Sequence, residues 1–271
     1  MILIAEKINA TRKTVRDVIE QRNDEKLGRL ALQQAGAGAT YIDVNVGTGR
    51  GGQADEIEAM RWAVTVLCQA IDKPLCIDSA DPAVLEAGLA AMDGRPVMIN
   101  SVKAAAYDLA AVLPLAKRFS APVVALAMDD RGIPKTVEGR IGACQRIAAA
   151  CAEIEVPLDQ LYFDPLVLPV STDASQGRVT LDTLAAIKQR FPGAHTTMGL
   201  SNISFGLPDR AGLNAAFLQM AIYAGLDAAI MDPTNTRMMA AVRAGEALMG
   251  RDRHFRRYTR ALRQPKQAQG E

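Results

Sequence analysis

Aspartate and asparagine recur at the ends of short apolar runs along this 271-residue chain. Asp78 ends the run PLCID, Asn100 follows PVMI, Asp164 follows LYF, and Ser201 and Asn202 come directly after HTTMGL. Carboxylates accept hydrogen bonds, and carboxamides both accept and donate them. Together they can hold a planar heterocycle with N–H donors and lone pairs on its edge. The residue types therefore indicate a polar binding pocket.

Helix capping is the alternative explanation, and it covers some of these positions taken singly. Asp81 followed by Pro82 fits a cap with proline at the first helical position. Capping does not explain Asp43, Asn45 and Asp78, which lie within apolar runs or end them. A carboxylate buried there is costly unless it finds partners. The collective pattern favours a pocket.

The elements that must position these residues follow an alternating pattern. Short β-prone runs alternate with longer segments of helical spacing, which predicts a parallel sheet. Eight strands are predicted, at 2–5, 41–46, 74–78, 96–99, 122–128, 161–163, 195–200 and 228–231. Helices are predicted at 55–70, 82–91, 107–118, 137–154, 180–190, 212–224 and 235–249.

Eight such units in about 250 residues have the size of a (β/α)8 barrel. A doubly wound open sheet remains the alternative, because periodicity does not show closure. In a barrel the carboxyl ends of all strands meet on one face, where sites of this fold lie. His195 starts its strand and belongs on the other face. We expect one domain over 1–262, including a last short helix after 251, and a basic, polar tail at 263–271.

Composition restricts the partners and the cofactors. The net charge is +1, which gives no reason to expect nucleic acid or an anionic membrane as a partner. No apolar run is long enough for a bilayer, and Glu6 and Lys7 come too early for a signal peptide. We therefore expect a soluble, cytoplasmic protein. The four cysteines form no CxxC pair and there are two histidines, so we expect reduced thiols and no metal site.

The segment GTGRGG at 47–52 offers a competing interpretation. It fits G-x-G-x-x-G between a strand and a helix, and Asp72 lies about twenty residues further on. Asp72, however, precedes the third predicted strand instead of ending it, and the glycines follow the second strand, not the first. The placement argues against a dinucleotide site.

The sequence resembles the pterin-binding methyltransferases that pass the methyl group of 5-methyltetrahydrofolate to a corrinoid. The folate domain of cobalamin-dependent methionine synthase is a more distant member of the same group. The matching segments run in order through almost the whole chain: EKIN, YIDVNVG, CIDSADPAVLEAGL, VMINS, RGIPK, LYFDPLVLP, GLSNISFGLPDR and GLDAAIMDP. The resemblance implies a (β/α)8 barrel of the pterin-binding, dihydropteroate synthase-like type, commonly a homodimer.

The resemblance also implies roles for individual residues. Asp78, Asn100 and Asp164 match residues that bond the pterin ring, and Asn202 matches an asparagine placed near N5, which makes it the catalytic candidate. Further matches line the same pocket: Gly199, Ser201, Asp43 and Asn45. One departure is that Asp129 or Asp130, ahead of RGIPK, stands where close relatives often have asparagine.

The expected activity is methyl transfer between 5-methyltetrahydrofolate and a corrinoid. The barrel takes up the whole length, so the corrinoid should arrive on a separate protein. Dihydropteroate synthase is the nearest alternative, but its Ser-Arg-Lys and Arg-x-His motifs are missing from SNISFGLPDR and MDPTNT. A pterin-binding protein without transferase activity is the other alternative.

Overall fold

Alternating strands and helices build the chain as the sequence pattern predicts. The computed structural model describes residues 1–263. The strands are β1 (Ile2–Asn9), β2 (Tyr41–Asn45), β3 (Leu75–Asp78), β4 (Val97–Lys103), β5 (Val123–Leu126), β6 (Leu161–Asp164), β7 (His195–Thr196) and β8 (Ala228–Met231). The helices are α1 (Lys13–Glu20), α2 (Asp24–Gly36), α3 (Gln53–Ala70), α4 (Pro82–Ala91), α5 (Ala106–Phe119), α6 (Val137–Glu153), α7 (Gln176–Arg190), α8 (Arg210–Ala224), α9 (Thr236–Leu248) and α10 (Arg256–Arg263).

The eight strands form one parallel sheet in the order β7-β6-β5-β4-β3-β2-β1-β8. The first strand of the chain, β1, pairs with β2 on one side and with the last strand, β8, on the other, and the sheet curls into a ring. The last junction, between β7 and β8, is reduced to a bridge between Gly199 and Ile230. There the N–H of Ile230 donates to the carbonyl of Met198 at 2.9 Å. The (β/α)8 barrel is therefore confirmed, and the doubly wound open sheet is excluded.

Apolar side chains fill the barrel on both sides of its wall. Between wall and helices lies a continuous buried layer that includes Ile8, Leu27, Ile77 and Phe163. Inside the barrel a smaller buried cluster holds Ile4, Cys76, Met98, Val124, Tyr162 and Ala228. The ring of Tyr162 stacks on His195, with 4.7 Å between ring centroids. This interior packing makes the barrel a filled core and leaves binding to its carboxyl end.

Several aspartates and asparagines after the strands do cap helices. The Asp81 carboxylate accepts the N–H of Ala83 at 2.8 Å, with Pro82 as the first residue of α4. Asn235 caps α9 in the same way. The capping interpretation is therefore confirmed for Asp81.

Three parts of the predicted pattern were wrong. The chain between β1 and β2 holds two helices, α1 and α2, that the pattern did not indicate, because their apolar stripes are narrow. β4 continues past Asn100 to Lys103 through a register shift, so Asn100 lies within the strand. β7 covers two residues instead of 195–200, because a 3-10 turn takes over at Leu200.

The end of the described chain also matches the expectation of a last short helix, α10, which packs against α9. Residues 264–271 lie outside the described part, so the predicted tail at 263–271 stays a prediction. Within residues 1–263, none of the helices has the length and apolar character needed to cross a membrane. Cys76, Cys144 and Cys151 are buried, Cys68 is partly buried, and all four thiols are free.

Candidate active site

The predicted site residues lie at or near the carboxyl end of the barrel wall, with Asp43 two residues before the end of β2. Asn45 ends β2, Asp78 ends β3 and Asp164 ends β6. Asn100 stands in register with Asp78 on β4. The 3-10 turn after β7 carries Ser201 and Asn202, directly after Gly199. The shared end follows from the parallel sheet, since every strand of a barrel points the same way.

Four of these side chains form a hydrogen-bonded network across β2, β3 and β4. The Asn45 amide donates to Oδ2 of Asp78 at 3.1 Å, and the Asn100 amide donates to Oδ1 of Asp43 at 3.1 Å. Asp43 is buried, with 2% of its surface exposed, while Asn45, Asp78 and Asn100 are half-buried. We call these four residues the acid–amide network. Each buried carboxylate has an amide donor, which offsets part of the cost of burial.

The two acids of the network have raised pKa values. Burial, reinforced by the neighbouring Asp78 carboxylate, raises the pKa of Asp43 well above its ordinary value. Burial also raises the pKa of Asp78, to about 6, against the lowering effect of hydrogen bonds from Asn45 and Asp43. Because the two carboxyl groups are close and buried together, they resist carrying two negative charges at once, and their titration is a property of the pair.

Asp164 forms a separate acidic centre on the opposite part of the wall. It is buried, and burial raises its pKa to about 6. Its carboxylate accepts the N–H of Leu166 at 2.7 Å and a further backbone N–H from Gly199. These donors and the charge of Arg140 lower the pKa in part. The carboxylate is thus fixed by backbone groups on two adjacent strand ends.

The turn after β7 brings small residues to the rim of the barrel. A Cβ added at Gly199 would meet no atom within 4 Å, so there is open space beside this backbone. Ser201 is half-buried, and its carbonyl accepts a hydrogen bond from Nη2 of Arg210 at 2.8 Å. Asn202 is exposed. Its amide is therefore accessible to a ligand entering at this end.

A further ionisable group at the rim was not among the predicted site residues. Glu6 on β1 has its pKa raised by burial and by nearby Asp232, against the opposing charges of Arg12 and Arg210. Asp232 follows β8 and pairs with Lys7, whose Nζ lies 3.2 Å from Oδ2. In the sequence, the segment EKIN and the Asp-Pro pair after β8 were the signals that could have identified Glu6 and Asp232.

Asp129 is one of the two aspartates ahead of RGIPK noted in the sequence, and it forms ion pairs with neighbouring arginines. Its buried carboxylate pairs with Arg131 and Arg146, each at 2.8 Å. The hydrogen bond from Arg131 keeps the pKa of Asp129 below its ordinary value. The residue therefore ties the loop after β5 to α6.

The glycine-rich segment at 47–52 does not lead into a doubly wound sheet, and Asp72 is exposed at the other end of β3. Through Arg263, no group of three or more His, Cys, Asp or Glu side chains is arranged to hold a metal ion. The carboxyl end of the barrel carries carboxyl and amide side chains that hydrogen bonds within the protein hold in place. That arrangement can bind and orient a polar ring and can donate hydrogen bonds to it.

Comparisons with known proteins agree with this arrangement. A family described as "Pterin binding enzyme" matches residues 5–232. The methylcorrinoid:tetrahydrofolate methyltransferase of Eubacterium limosum is 36% identical over 98% of this chain and 97% of its own length. The methionine synthase of Mycobacterium leprae is 33% identical over 85% of this chain, but that match covers 20% of the relative.

Solved structures show the same fold. The dihydropteroate synthase of Yersinia pestis, solved with a pterine–sulfa conjugate, has a TM-score of 0.72 at 17% identity, over 92% of this chain and 94% of that one. The 7,8-dihydropteroate synthase of Vibrio fischeri ES114 has a TM-score of 0.70 at 18% identity, over 92% of this chain and 93% of that one.

Proposed function

The chain belongs to the pterin-binding enzyme family, and we propose that it is a methyltransferase acting between 5-methyltetrahydrofolate and a corrinoid protein. The observation that carries the proposal is the alignment, over nearly both full lengths, with a relative named for that reaction. The acid–amide network, Asp164 and the exposed Asn202 supply the groups that such a substrate needs.

The pterin ring is held by acids that face its N–H groups. In this proposal the ionised carboxylates of Asp78 and Asp164 accept hydrogen bonds from the ring, and Asn100 contributes its amide oxygen or N–H. Asn45 and the buried Asp43 lie beside Asp78 and fix its geometry. Because the pocket acids are buried, these charge-assisted hydrogen bonds are stronger than they would be in water.

Asn202 assists the departure of the methyl group from N5. An amine anion is a poor leaving group, so a donor must stabilise the nitrogen as the C–N bond breaks. The Asn202 amide donates a hydrogen bond that strengthens as electron density collects on N5. The proton that finally reaches N5 comes from solvent at the exposed rim.

The corrinoid is a co-substrate carried by a second protein, and it supplies the nucleophilic Co(I). This chain's residues contribute an open barrel end, where the Asn202 side chain is exposed. Methyl transfer there requires that the pterin lie with N5 toward the rim, and the acids deeper in the pocket provide that orientation.

We also propose a cytoplasmic homodimer. The support is the outer face of α8, where Leu213, Met220 and Tyr223 are exposed, Tyr223 by 79% of its surface. Contiguous apolar side chains of this kind mark association surfaces. Light scattering tests the dimer, and Tyr223→Glu is expected to shift the mass toward the monomer.

Two other functions remain as alternatives, and one experiment separates them from transfer. A dihydropteroate synthase-like enzyme shares the barrel, and a pterin-binding protein without activity would share the pocket. Single-turnover mixing of 5-methyltetrahydrofolate with free cob(I)alamin should yield methylcobalamin and tetrahydrofolate. Folate binding without transfer would favour the inactive pterin-binding protein. The synthase is tested in a separate mixture that contains a dihydropterin pyrophosphate and p-aminobenzoate, in which dihydropteroate formation would favour that alternative.

A further inference from the structure

Arg140 on α6 is fully buried, yet none of its direct hydrogen-bond partners is acidic. Its Nε donates to the carbonyl of Pro134 at 2.9 Å, Nη1 to Oγ1 of Thr180 at 3.2 Å and Nη2 to Oε1 of Gln176 at 2.9 Å. All three acceptors are neutral. A buried cation is expensive unless an opposite charge compensates it, so a compensating anion is expected nearby.

The acid that acts on Arg140 is Asp164. Burial lowers the pKa of the Arg140 guanidinium, and the charge of Asp164 opposes that shift. In return, Arg140 stabilises the ionised form of Asp164. Both groups are buried, so water screens their attraction less than it would at the surface.

Among the groups around Asp164, Arg140 is the main positive charge. α6 contributes Arg140 and the Cys144 thiol, whose pKa burial raises to about 12. The turn after β7 contributes the Gly199 N–H, and the loop after β6 contributes the Leu166 N–H. α7 contributes the neutral side chains of Gln176 and Thr180. Among the described residues, no other cation is recorded as acting on Asp164.

A series of contacts also links the two side chains. Arg140 donates to Thr180, whose hydroxyl donates to the carbonyl of Gln176 at 2.9 Å and lies 3.4 Å from the carbonyl of Leu166. The N–H of Leu166 in turn donates to Asp164 at 2.7 Å. Leu166 has a φ of +65°, which a leucine rarely adopts unless its surroundings hold it there. Arg140 and α7 thus brace the residue that aims the Asp164 carboxylate.

We propose that Arg140 is a positioning residue for pterin binding: from outside the barrel wall it keeps Asp164 ionised and aimed into the pocket. The inference rests on the proposed function only in that Asp164 contacts the pterin. The guanidinium itself never touches the ligand. Its effect reaches the pocket through the charge of Asp164 and through the loop after β6.

The test compares Arg140→Gln, which loses the charge, with Arg140→Lys, which keeps it. Tetrahydrofolate affinity is measured by calorimetry across pH. For Arg140→Gln the midpoint of the pH dependence, which lies near the Asp164 pKa of about 6, should rise by about one unit. Affinity should then be about tenfold weaker well below both midpoints and about twofold weaker at neutral pH, whereas Arg140→Lys should keep the midpoint. In an Asp164→Asn background, Arg140→Gln should no longer shift the midpoint, because the carboxyl group that Arg140 acts on is gone. Arg95→Gln is the control, since Arg95 also binds backbone carbonyls, those of Cys68 and Ile71.

A folded Arg140→Gln protein with the wild-type midpoint and affinity would overturn the inference. If that variant does not fold, Thr180→Val removes the hydroxyl that links Arg140 to Leu166 and should weaken binding several-fold at an unchanged midpoint. Wild-type affinity in Thr180→Val would then overturn the inference. Carboxyl ¹³C NMR of Asp164 in wild type and Arg140→Gln needs no ligand, and the Asp164 pKa should be higher in the variant. It therefore still tests the ionisation when the wild-type protein fails to bind folate, a result that refutes the proposed function alone.

Discussion

The Asn45 amide donates to Oδ2 of Asp78 at 3.1 Å, joining the carboxyl ends of β2 and β3. This bond fixes one oxygen of Asp78. Asp78 remains half-buried at the end of its strand. A carboxylate held in this way is pre-organised to accept a ligand N–H, because the cost of ordering its side chain is met during folding.

Replacing Asp78 or Asp164 by asparagine should weaken tetrahydrofolate binding. Each change removes a charged acceptor and introduces an amide that can turn its N–H groups toward ring donors, at a cost of about 1–3 kcal/mol. Calorimetry measures the loss. Asp159→Asn, at an exposed position just before β6, is the matched control and should bind like wild type. Unchanged affinity in both pocket variants would remove these acids from the binding site.

The pH dependence of binding and that of stability should have opposite signs. The folded-state pKa values of Asp78 and Asp164, each about 6, lie above the ordinary carboxyl value of about 4 in the unfolded chain. The stability that these groups contribute is therefore complete below the unfolded pKa and is lost as pH rises through the folded pKa. Ligand binding needs the ionised acids, so tetrahydrofolate affinity should fall as pH drops below about 6.

Urea unfolding of the apoprotein and calorimetry with folate, both followed from about pH 5 to about pH 8, measure the two trends. The variant with both Asp78→Asn and Asp164→Asn should show a flatter stability profile over that range. A wild-type affinity that stays constant across it would contradict the assignment of these acids.

Asn202→Ala should slow methyl transfer more than it weakens folate binding. In the ground state N5 carries little charge, so a hydrogen bond from Asn202 contributes little; in the transition state the same bond strengthens, and only that difference accelerates the reaction. Loss of one such donor costs about 10²–10³-fold in rate in other enzymes. Single-turnover transfer to cob(I)alamin and equilibrium binding separate the two effects. Near-normal transfer would leave Asn202 as a turn-forming residue only.

Gly88→Ala should destabilise the barrel wall beneath the acid–amide network. A Cβ at Gly88 would lie 2.7 Å from Cγ2 of Ile77 and 2.9 Å from Cγ of Met60. Relieving the overlap must move α4 away from β3, at a cost of about 1–3 kcal/mol. Gly142→Ala in α6 is the control: its Cβ meets only Nη1 of Arg146, at 3.9 Å, and alanine favours the helix by up to about 1 kcal/mol. Urea unfolding should show a lower free energy of unfolding for Gly88→Ala than for wild type, and a higher one for Gly142→Ala.

Tetrahydrofolate binding should not depend on a metal ion. The pocket residues are acids and amides whose described partners are protein N–H groups, as for Asp43, Asp78 and Asp164. Calorimetry in buffer with chelator should therefore give the same affinity as calorimetry without it. A large loss of affinity with chelator would show that a metal ion takes part in binding.

The sequence predicted the barrel and the location of the candidate residues because both depend on periodicity. Apolar runs that stop at Asp or Asn mark strand ends, and parallel strands carry those ends to one face. Which acid bonds which amide depends on cross-strand register, here Asn45 beside Asp78 and Asp78 beside Asn100, and no spacing along the chain gives that register.

Other features carried no signal in the sequence. Arg140 stands in an Ala-rich helix where an arginine is normally exposed, and only the packing of α6 against α7 buries it. α1 was missed because it is short and buries just Val15, Val18 and Ile19. Asp43 is predicted from the sequence to be costly to bury, but the effect of Asp78 on its pKa follows from their proximity in space.

The junction between β7 and β8 closes the barrel with very few backbone contacts. Elsewhere adjacent strands share ladders of two to four residue pairs, whereas here the Gly199–Ile230 bridge closes the ring. Local opening costs the least free energy where backbone pairing is sparsest. The turn that carries Asn202 begins directly after this junction. A folate that contacts Asp78, Asp164 and this turn would stabilise the closed form of the junction between β7 and β8. Hydrogen–deuterium exchange at Ile230 should therefore slow on binding, by a factor that grows as one plus the ratio of free ligand concentration to Kd, while exchange along β2 and β3 changes little.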